Sequence, residues 1–366
     1  MKKQTGERKK TMNKNIITIT TLFCVLLLAT GAAENKVSEG VWTIGPRKLP
    51  PPSAASNAMR KAILKTPAPD VEATNRLTPQ TRAQWEAFIN ETDARAATRA
   101  RTLAKKLAVT VGKDEMGGVT VYRVTPEQID PKHENHLLVY LHGGAYIAYS
   151  GEAGTTEAVL IAARLKMPVL SIDYRMPPAY PAPHGINDVV SVYEQLLKKR
   201  ASTSLAMGGS SAGGGLTMAS VHRFKELGLD LPGALYLGTP GVDVTKTGDS
   251  RYINEGIDRI LVSWDGIPFH ALKMYAENYD LKHPYVSPVY GDFSRFPPTY
   301  LISGTRDLLL SDTVRTHRKM RAAGIIADLN IYEGQSHGDY LALMDSPESH
   351  EHYAELNAFL LRHLND

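Results

Sequence analysis

Five small residues centred on a serine, Gly209-Ser210-Ser211-Ala212-Gly213, come one glycine after the run Ser204-Leu205-Ala206-Met207 and open a stretch of helical spacing. The spacing has a steric reason. A serine on a tight strand-to-helix turn needs neighbours without bulk, so that the backbone can reverse and expose Oγ. The helix N-terminus beneath it also favours developing negative charge. A Gly/Ser-rich loop that merely turns the chain or cradles a phosphate would have a similar composition, so the motif gains weight only from its company. Upstream, Leu137-Leu138-Val139-Tyr140-Leu141 runs into His142-Gly143-Gly144-Ala145. Consecutive small residues after a strand let backbone N–H groups point into a site, as an oxyanion hole requires. Read as structure alone this is a tight turn, but a chance pairing of turn and serine elbow is much rarer than either one.

A serine nucleophile needs a base, and the base needs an orienting acid. Twelve histidines compete for the role of base. His350, His352 and His363 fall in a polar terminal helix, and His133 and His136 precede a strand, so a solvated surface position is the default for each. His350-Glu351-His352 is not spaced as a helical metal pair. His337 differs, because it sits in the loop Glu333-Gly334-Gln335-Ser336-His337-Gly338 directly after a strand-like run ending at Tyr332. Catalytic groups of open α/β sheets belong on such loops. For the acid, Thr299-Tyr300-Leu301-Ile302-Ser303 leads into Gly304-Thr305-Arg306-Asp307, again a strand followed by a turn. Asp312 reads instead as a cap of the helix that follows. The candidate catalytic set is therefore Ser211, Asp307 and His337.

The elements that must position these residues alternate from Val109 onward. Strands are predicted at Val119–Val124, Leu137–Leu141, Val169–Ile172, Ser204–Met207, Gly233–Leu237, Thr299–Ser303 and Ala327–Tyr332. Helices are predicted at Thr155–Leu165, Ile186–Lys199, Ala212–Leu227, Asp312–Ala323 and Ser349–Leu364. The alternation argues for an α/β fold with a mostly parallel sheet and helices on both faces. Thr81–Leu107 carries Trp85, Phe88, Ile89, Leu103 and Leu107 at helical spacing. Its cations Arg95, Arg99, Arg101, Lys105 and Lys106 read as the solvated side of an amphipathic helix rather than as a membrane-binding face. From Val242 to Pro288 aromatics accumulate without a clear strand, as in a lid or cap over an α/β sheet.

The chain resembles the bacterial hormone-sensitive-lipase-like esterases of the α/β-hydrolase superfamily over roughly residues 105–366. The likeness rests on the His142-Gly143-Gly144 turn, Asp173-Tyr174-Arg175-Met176-Pro177-Pro178 with Tyr180-Pro181-Ala182-Pro183, the Gly209–Gly214 elbow, and Ser303-Gly304-Thr305-Arg306-Asp307. The order Ser211, Asp307, His337 is the superfamily's triad order. The resemblance implies Ser211 as nucleophile, His337 as base and Asp307 as orienter. It also implies oxyanion donors from Gly143, Gly144, Ala145 and Ala212, a helical cap, and activity on short-acyl esters or lactones. Three positions depart from the usual pattern: Ala145 replaces a third glycine, Ser210 stands where many members have aspartate, and Asp339 stands where an apolar aromatic is common.

The 366 residues, 43% hydrophobic and 22% charged, exclude a disordered, collagenous or coiled-coil chain. The formal charge of +4 is concentrated at the start. Lys2, Lys3, Arg8, Lys9, Lys10 and Lys14 precede the apolar run Ile16–Ala29 and the small residues Thr30-Gly31-Ala32-Ala33, which are the three parts of a secretory signal peptide. The run is shorter than the about 20 residues of a membrane span. Met12 is an alternative start. Cleavage after Ala33 takes the formal charge from +4 to −1 and removes the one cysteine, Cys24, leaving a chain suited to an oxidising exterior. The expected organisation is a signal peptide at 1–33, an arm and cap helices at 34–108, and a catalytic domain at 109–366 with a cap insertion at about 245–288. A secreted or periplasmic serine carboxylesterase is the leading reading, with a lactone hydrolase as its alternative within enzymes and a non-catalytic hydrolase-fold binder as the rival class. No metal, organic cofactor, nucleic-acid partner or lasting membrane span is expected; a homodimer stays open.

Overall fold

A computed structural model describes Gly40 and residues 44–365; the expected leader and its cut after Ala33 lie outside the described residues. The chain divides into two compact units, Met1–Leu49 and Pro50–Asp366. The described residues of the first unit are exposed and carry no helix or strand.

The second unit opens with three helices, α1 (Asn57–Lys65), α2 (Val71–Arg76) and α3 (Arg82–Lys106). Helix α3 begins at a capping box: Thr81 Oγ1 accepts from Gln84 N, and the Gln84 side chain accepts from Thr81 N. Its many Ala and Arg residues favour helix and carry it through to Lys106. Then come β1 (Val109–Met116), β2 (Val119–Pro126), β3 (Leu137–Leu141), α4 (Thr156–Leu165), β4 (Val169–Ile172) and α5 (His184–Leu197). They are followed by β5 (Leu205–Ser210), α6 (Ala212–Leu227) and β6 (Ala234–Gly238). An insertion carrying α7 (Ser250–Ile253) and α8 (Ile267–Ala276) precedes β7 (Thr299–Gly304), α9 (Leu310–Ala322), β8 (Ala327–Tyr332), α10 (Asp339–Ala342) and α11 (Pro347–His363).

The strands form one sheet in the order β1-β2-β4-β3-β5-β6-β7-β8. Pairings β1–β2 and β2–β4 are antiparallel and the rest are parallel. Strands β3 to β7 read as continuous apolar runs because both of their faces are covered. In β3, Leu137, Val139 and Leu141 pack with Leu216 and Met218 of α6, while Leu138 and Tyr140 pack with Leu160 of α4 and Leu356 of α11. The expected mostly parallel sheet with helices on both faces is thus the one found. Because β3 has β4 on one side and β5 on the other, the sheet reverses its winding there, and the crevice beyond the carboxyl ends of β3 and β5 is the natural place for a site.

Several expectations are corrected. Strand β1 went unpredicted because its Gly112-Lys113-Asp114-Glu115 stretch is polar on both sides of an edge strand. His133, His136 and His352 are buried, not solvated. His133 Nε2 lies 2.7 Å from Asn357 Oδ1, and His133 Nδ1 lies 3.1 Å from His136 Nδ1. His352 packs among Tyr236, Tyr300, Tyr340 and Tyr353, and burial pulls its pKa down to about 3. Asp312 does not cap a helix. It lies in the first turn of α9, fully buried, 2.7 Å from the equally buried Arg251 guanidinium, and accepts from Val242 N and Asp243 N at 3.1 and 3.2 Å. Arg251 in turn covers the Trp264 ring at 3.3 Å. Among the described residues, no helix is long and apolar enough to cross a membrane.

Burial outweighs the Arg251 attraction and pushes the Asp312 carboxyl up to about 6, so the pair is fully charged only above that pH. At pH 8, Asp312→Ala leaves a buried guanidinium without its counter-charge and lowers unfolding free energy by about 3–5 kcal/mol in urea titrations. The double change Arg251→Met with Asp312→Leu costs less than either single change.

Candidate active site

Strand β5 ends at Ser210 and α6 starts at Ala212, so Ser211 alone makes the reversal. Its backbone sits at φ 58° and ψ −123°, a conformation that costs a residue with a side chain on the order of 1–3 kcal/mol. The surroundings hold it there. Ser211 N donates to Gly238 O at 2.8 Å, and Ser211 O accepts from Gly241 N at 2.9 Å and Gly215 N at 3.2 Å. The flanking glycines are required by close approach: a Cβ on Gly209 or Gly213 would stand 2.0 or 1.9 Å from Leu141 O at the end of β3.

Asp307 follows β7 and His337 follows β8, and the structure brings them together. His337 Nδ1 lies 3.1 Å from Asp307 Oδ1, which also accepts from Leu309 N at 2.8 Å. The other carboxylate oxygen accepts from Ser303 Oγ at 2.7 Å and from Thr239 Oγ1, and that Thr239 hydroxyl lies 2.9 Å from His337 Nδ1. Burial alone would push Asp307 up, but the His337 charge and the His337, Ser303 and Thr239 hydrogen bonds outweigh it and hold the carboxyl below its ordinary range. For His337, burial pulls downward while the charge and hydrogen bond of Asp307, then the charges of Asp258 and Asp339, prevail and raise it. With Nδ1–H donated towards Asp307, the imidazole keeps Nε2 as its free base.

Ser211 and His337 open on one cavity of about 570 Å³ together with His142, Gly143, Gly144 and Ala145. Phe88, Thr92 and Arg95 of α3, Ile260, Leu261 and Ile267 of the insertion, and Leu341 of α10 form its other walls. A second depression, about 720 Å³ and lined by Met116, Leu137 and Lys199 among others, contains none of the candidate residues. Gly143 rests on the elbow, where a Cβ would stand 3.0 Å from Ser210 O. Among the described residues, no backbone carbonyl or side chain accepts from the N–H groups of Gly143, Gly144 or Ala145. Ala212 is the first residue of α6, so its N–H has no intrahelical partner. His142 stacks on Tyr174 at 4.3 Å, places Nδ1 2.9 Å from Gly143 O, and accepts from the Tyr174 hydroxyl on its own carbonyl at 2.7 Å. Ala145 adopts φ 53° despite its side chain.

A family profile described as alpha/beta hydrolase fold matches residues 138–341, more than half of the chain. The chain belongs to the α/β-hydrolase family. A crystal structure titled esterase E25 is 52% identical, covering 89% of this chain and 100% of that one with a TM-score of 0.87. A hormone-sensitive lipase from a metagenome library is 26% identical over 76% of this chain and 99% of that one, with a TM-score of 0.66. A curated esterase of Acinetobacter venetianus is 27% identical, covering 61% of this chain and 74% of its own, and an acetyl-hydrolase of Streptomyces hygroscopicus is 29% identical, covering 56% and 69%. Within the family, this α/β-hydrolase falls among the bacterial hormone-sensitive-lipase-like members, as its motifs imply.

The structure also brings residues to the site that the sequence did not single out. Asp258, in the insertion, accepts from Leu308 N at 2.9 Å and His337 N at 3.4 Å, tying the insertion to both post-strand loops. Burial and the neighbouring Asp307 charge raise it to about 6. Glu157 of α4 lies beneath the elbow, where Ser210 Oγ and Tyr236 OH each donate to it at 2.8 Å and Tyr140 OH at 2.5 Å. At the end of β5, Ser210 thus donates to a carboxylate carried by α4, and burial raises the pKa of that carboxylate against its three donors. Asp339 is absent from the cavity wall. It pairs with Arg259 at 2.5 Å and accepts from Ser336 N at 2.6 Å, bracing the His337 loop. None of Asp258, Glu157 or Thr239 lies in a motif of its own; each is recognisable only by its place in the fold. Because the Asp258 charge raises His337, Asp258→Asn lowers the imidazole pKa, which an NMR titration of the His337 ring reads directly; an unchanged or higher value contradicts this electrostatic account.

Proposed function

We propose that this hydrolase is a serine carboxylesterase acting on small, short-acyl esters through an acyl-enzyme, exported by its leader to the periplasm or beyond. The observation that carries the reading is the shared cavity of Ser211 and His337 with Asp307 bound to the far side of the imidazole. Ser211 Oγ attacks the ester carbonyl while His337 Nε2 takes its proton, and Asp307 stabilises the resulting imidazolium. The carbonyl oxygen, now an oxyanion, receives hydrogen bonds from the N–H groups at Gly143, Gly144, Ala145 and Ala212. Collapse expels the alcohol with the proton held by His337. Water then adds to the acyl-serine through the same base, releasing the acid and restoring Ser211. Esterases and an acetyl-hydrolase among the relatives support the ester class. The cavity walls given by α3 and the insertion support short acyl groups, because a long chain must find a tunnel or displace them.

A panel of p-nitrophenyl esters of rising chain length, run beside lactones, tests the substrate class. The expected result is a kcat/KM that falls steeply from short to long chains and exceeds that for lactones; a flat profile overturns the short-acyl reading, and a lactone preference overturns the ester reading. Ser211→Ala, His337→Ala and Asp307→Ala each lower kcat by several orders of magnitude without loss of fold. Because His337 is raised above the ordinary imidazole value of 6.5, its charged form persists to higher pH and cannot accept the serine proton. The acid limb of kcat/KM therefore lies above pH 6.5, and an inflection below it contradicts the assignment. N-terminal sequencing of exported protein should start at Glu34.

A further inference from the structure

Helix α3 walls the cavity with Phe88, Thr92 and Arg95, and between them carries a carboxylate with a different target. Asp93 sits in mid-helix, where aspartate offers no capping benefit. It is half-buried and accepts from Tyr149 N at 2.5 Å and Ser150 N at 3.3 Å. The segment it grips continues directly from the Gly143–Ala145 turn. That segment is held in an unusual backbone, with positive φ at Gly144 (98°), Ala145 (53°), Tyr146 (62°) and Tyr149 (77°). Its two ends are tied together, because Ile147 N and Ala148 N both donate to Gly144 O, at 3.0 and 3.1 Å. A Cβ on Gly144 would stand only 2.4 Å from Ala148 O. Gly144 is thus packed against residues 148–149 and hydrogen-bonded to Ile147 and Ala148, so a displacement of those residues is passed to it.

Asp173, after β4, holds the same segment from the other side, accepting from Gly151 N at 2.9 Å and Ser150 Oγ at 3.3 Å. Burial, and then the charge of Asp173, raise the Asp93 carboxyl against the two N–H bonds that favour its ionised form. Two carboxylates thus converge on one short loop despite their repulsion. Docking of α3 has other supports: Trp85, Phe88 and Ile89 pack on Ala145, Ile147, Ala148 and Tyr149, and Arg101 pairs with Glu152 at 2.6 Å.

We propose that Asp93 is a positioning residue for the oxyanion donors: through the Tyr149 and Ser150 backbones its carboxylate fixes the Gly143–Ala145 turn, so that seating of the cap helix and stabilisation of the transition state are coupled. The proposal rests on the acyl-transfer reading above. It requires Asp93 to affect charge development rather than ground-state substrate binding.

The test compares Asp93→Ala and Asp93→Asn with the wild-type chain. On a short p-nitrophenyl ester, Asp93→Ala lowers kcat by about 10- to 100-fold with KM within about two-fold, short of the loss from removing a donor outright. Asp93→Asn, which keeps one acceptor oxygen, lies between it and wild type. A trifluoromethyl ketone, whose adduct places an oxyanion in the turn, loses affinity in step with kcat. Hydrogen–deuterium exchange over residues 143–151 quickens in both variants. Unchanged exchange there, or a raised KM with kcat intact, overturns the proposal and leaves Asp93 a docking contact. A wild-type chain that hydrolyses no ester overturns the acyl-transfer reading and the coupling with it, while the exchange measurement still judges the clamp on its own. If Asp93→Ala loses protection along the whole of α3, the Asn variant decides the comparison.

Discussion

One residue separates the last position of β5 from the first turn of α6, and the chain must reverse within it. Ser211 can hold φ 58° only because its neighbours have no side chains where Leu141 O presses against the elbow. That contact exists because β3 and β5 are paired in parallel with Leu141 opposite Gly209. The same pairing places the residues after β3 beside the elbow, so Gly143 lands on Ser210 O. Serine, turn and sheet register are thus one geometric statement: to slip the register would separate the turn from the hydroxyl it faces.

The acids around the site differ in surroundings, and their ionisation differs accordingly. Asp307 has four donors on its two oxygens, one of them the basic ring of His337, so its charge is favoured even when fully buried. Asp258 accepts backbone N–H groups but sits next to Asp307, and burial together with that repulsion favours its neutral form. Glu157 receives three hydroxyl groups, yet burial still dominates. Asp258 accepts four backbone N–H groups, as many donors as Asp307 has, so among these buried carboxyls it is the neighbouring charge that parts the two: the imidazole favours the ionised Asp307, and Asp307 in turn disfavours the ionised Asp258.

Much of this was legible because local chemistry and the sheet pattern coincide. The apolar runs at Leu137–Leu141 and Thr299–Ser303 are strands with both faces covered, and the small residues after Leu141 and around Ser211, each ambiguous alone, point to close backbone approach when taken together. His337 and Asp307 were found by their place after strands. Burial of isolated polar residues was much less legible. His352 lies in a terminal helix rich in Glu and His, and only the sheet-facing side of that helix, set by Tyr353, Leu356 and Phe359, draws it under the tyrosines. Asp312 looks like a cap because it is an acid near a helix start, whereas its partner Arg251 stands in the insertion, out of reach of any local rule. Thr239 and Glu157 escape for the same reason: their partners are distant in sequence.

The attachment of the insertion has a consequence for exchanging parts among related enzymes. A loop that shapes a pocket is ordinarily treated as a removable module, replaced in order to admit a different substrate. Here the loop that offers Ile260 and Leu261 to the cavity also carries Asp258, which binds the backbones of Leu308 and His337. A transplanted segment lacking that acid would leave two buried amides unserved and alter the basicity of the imidazole. Substrate range and acidity response are inherited as one trait in this protein, and recombination that respects only pocket shape would change both.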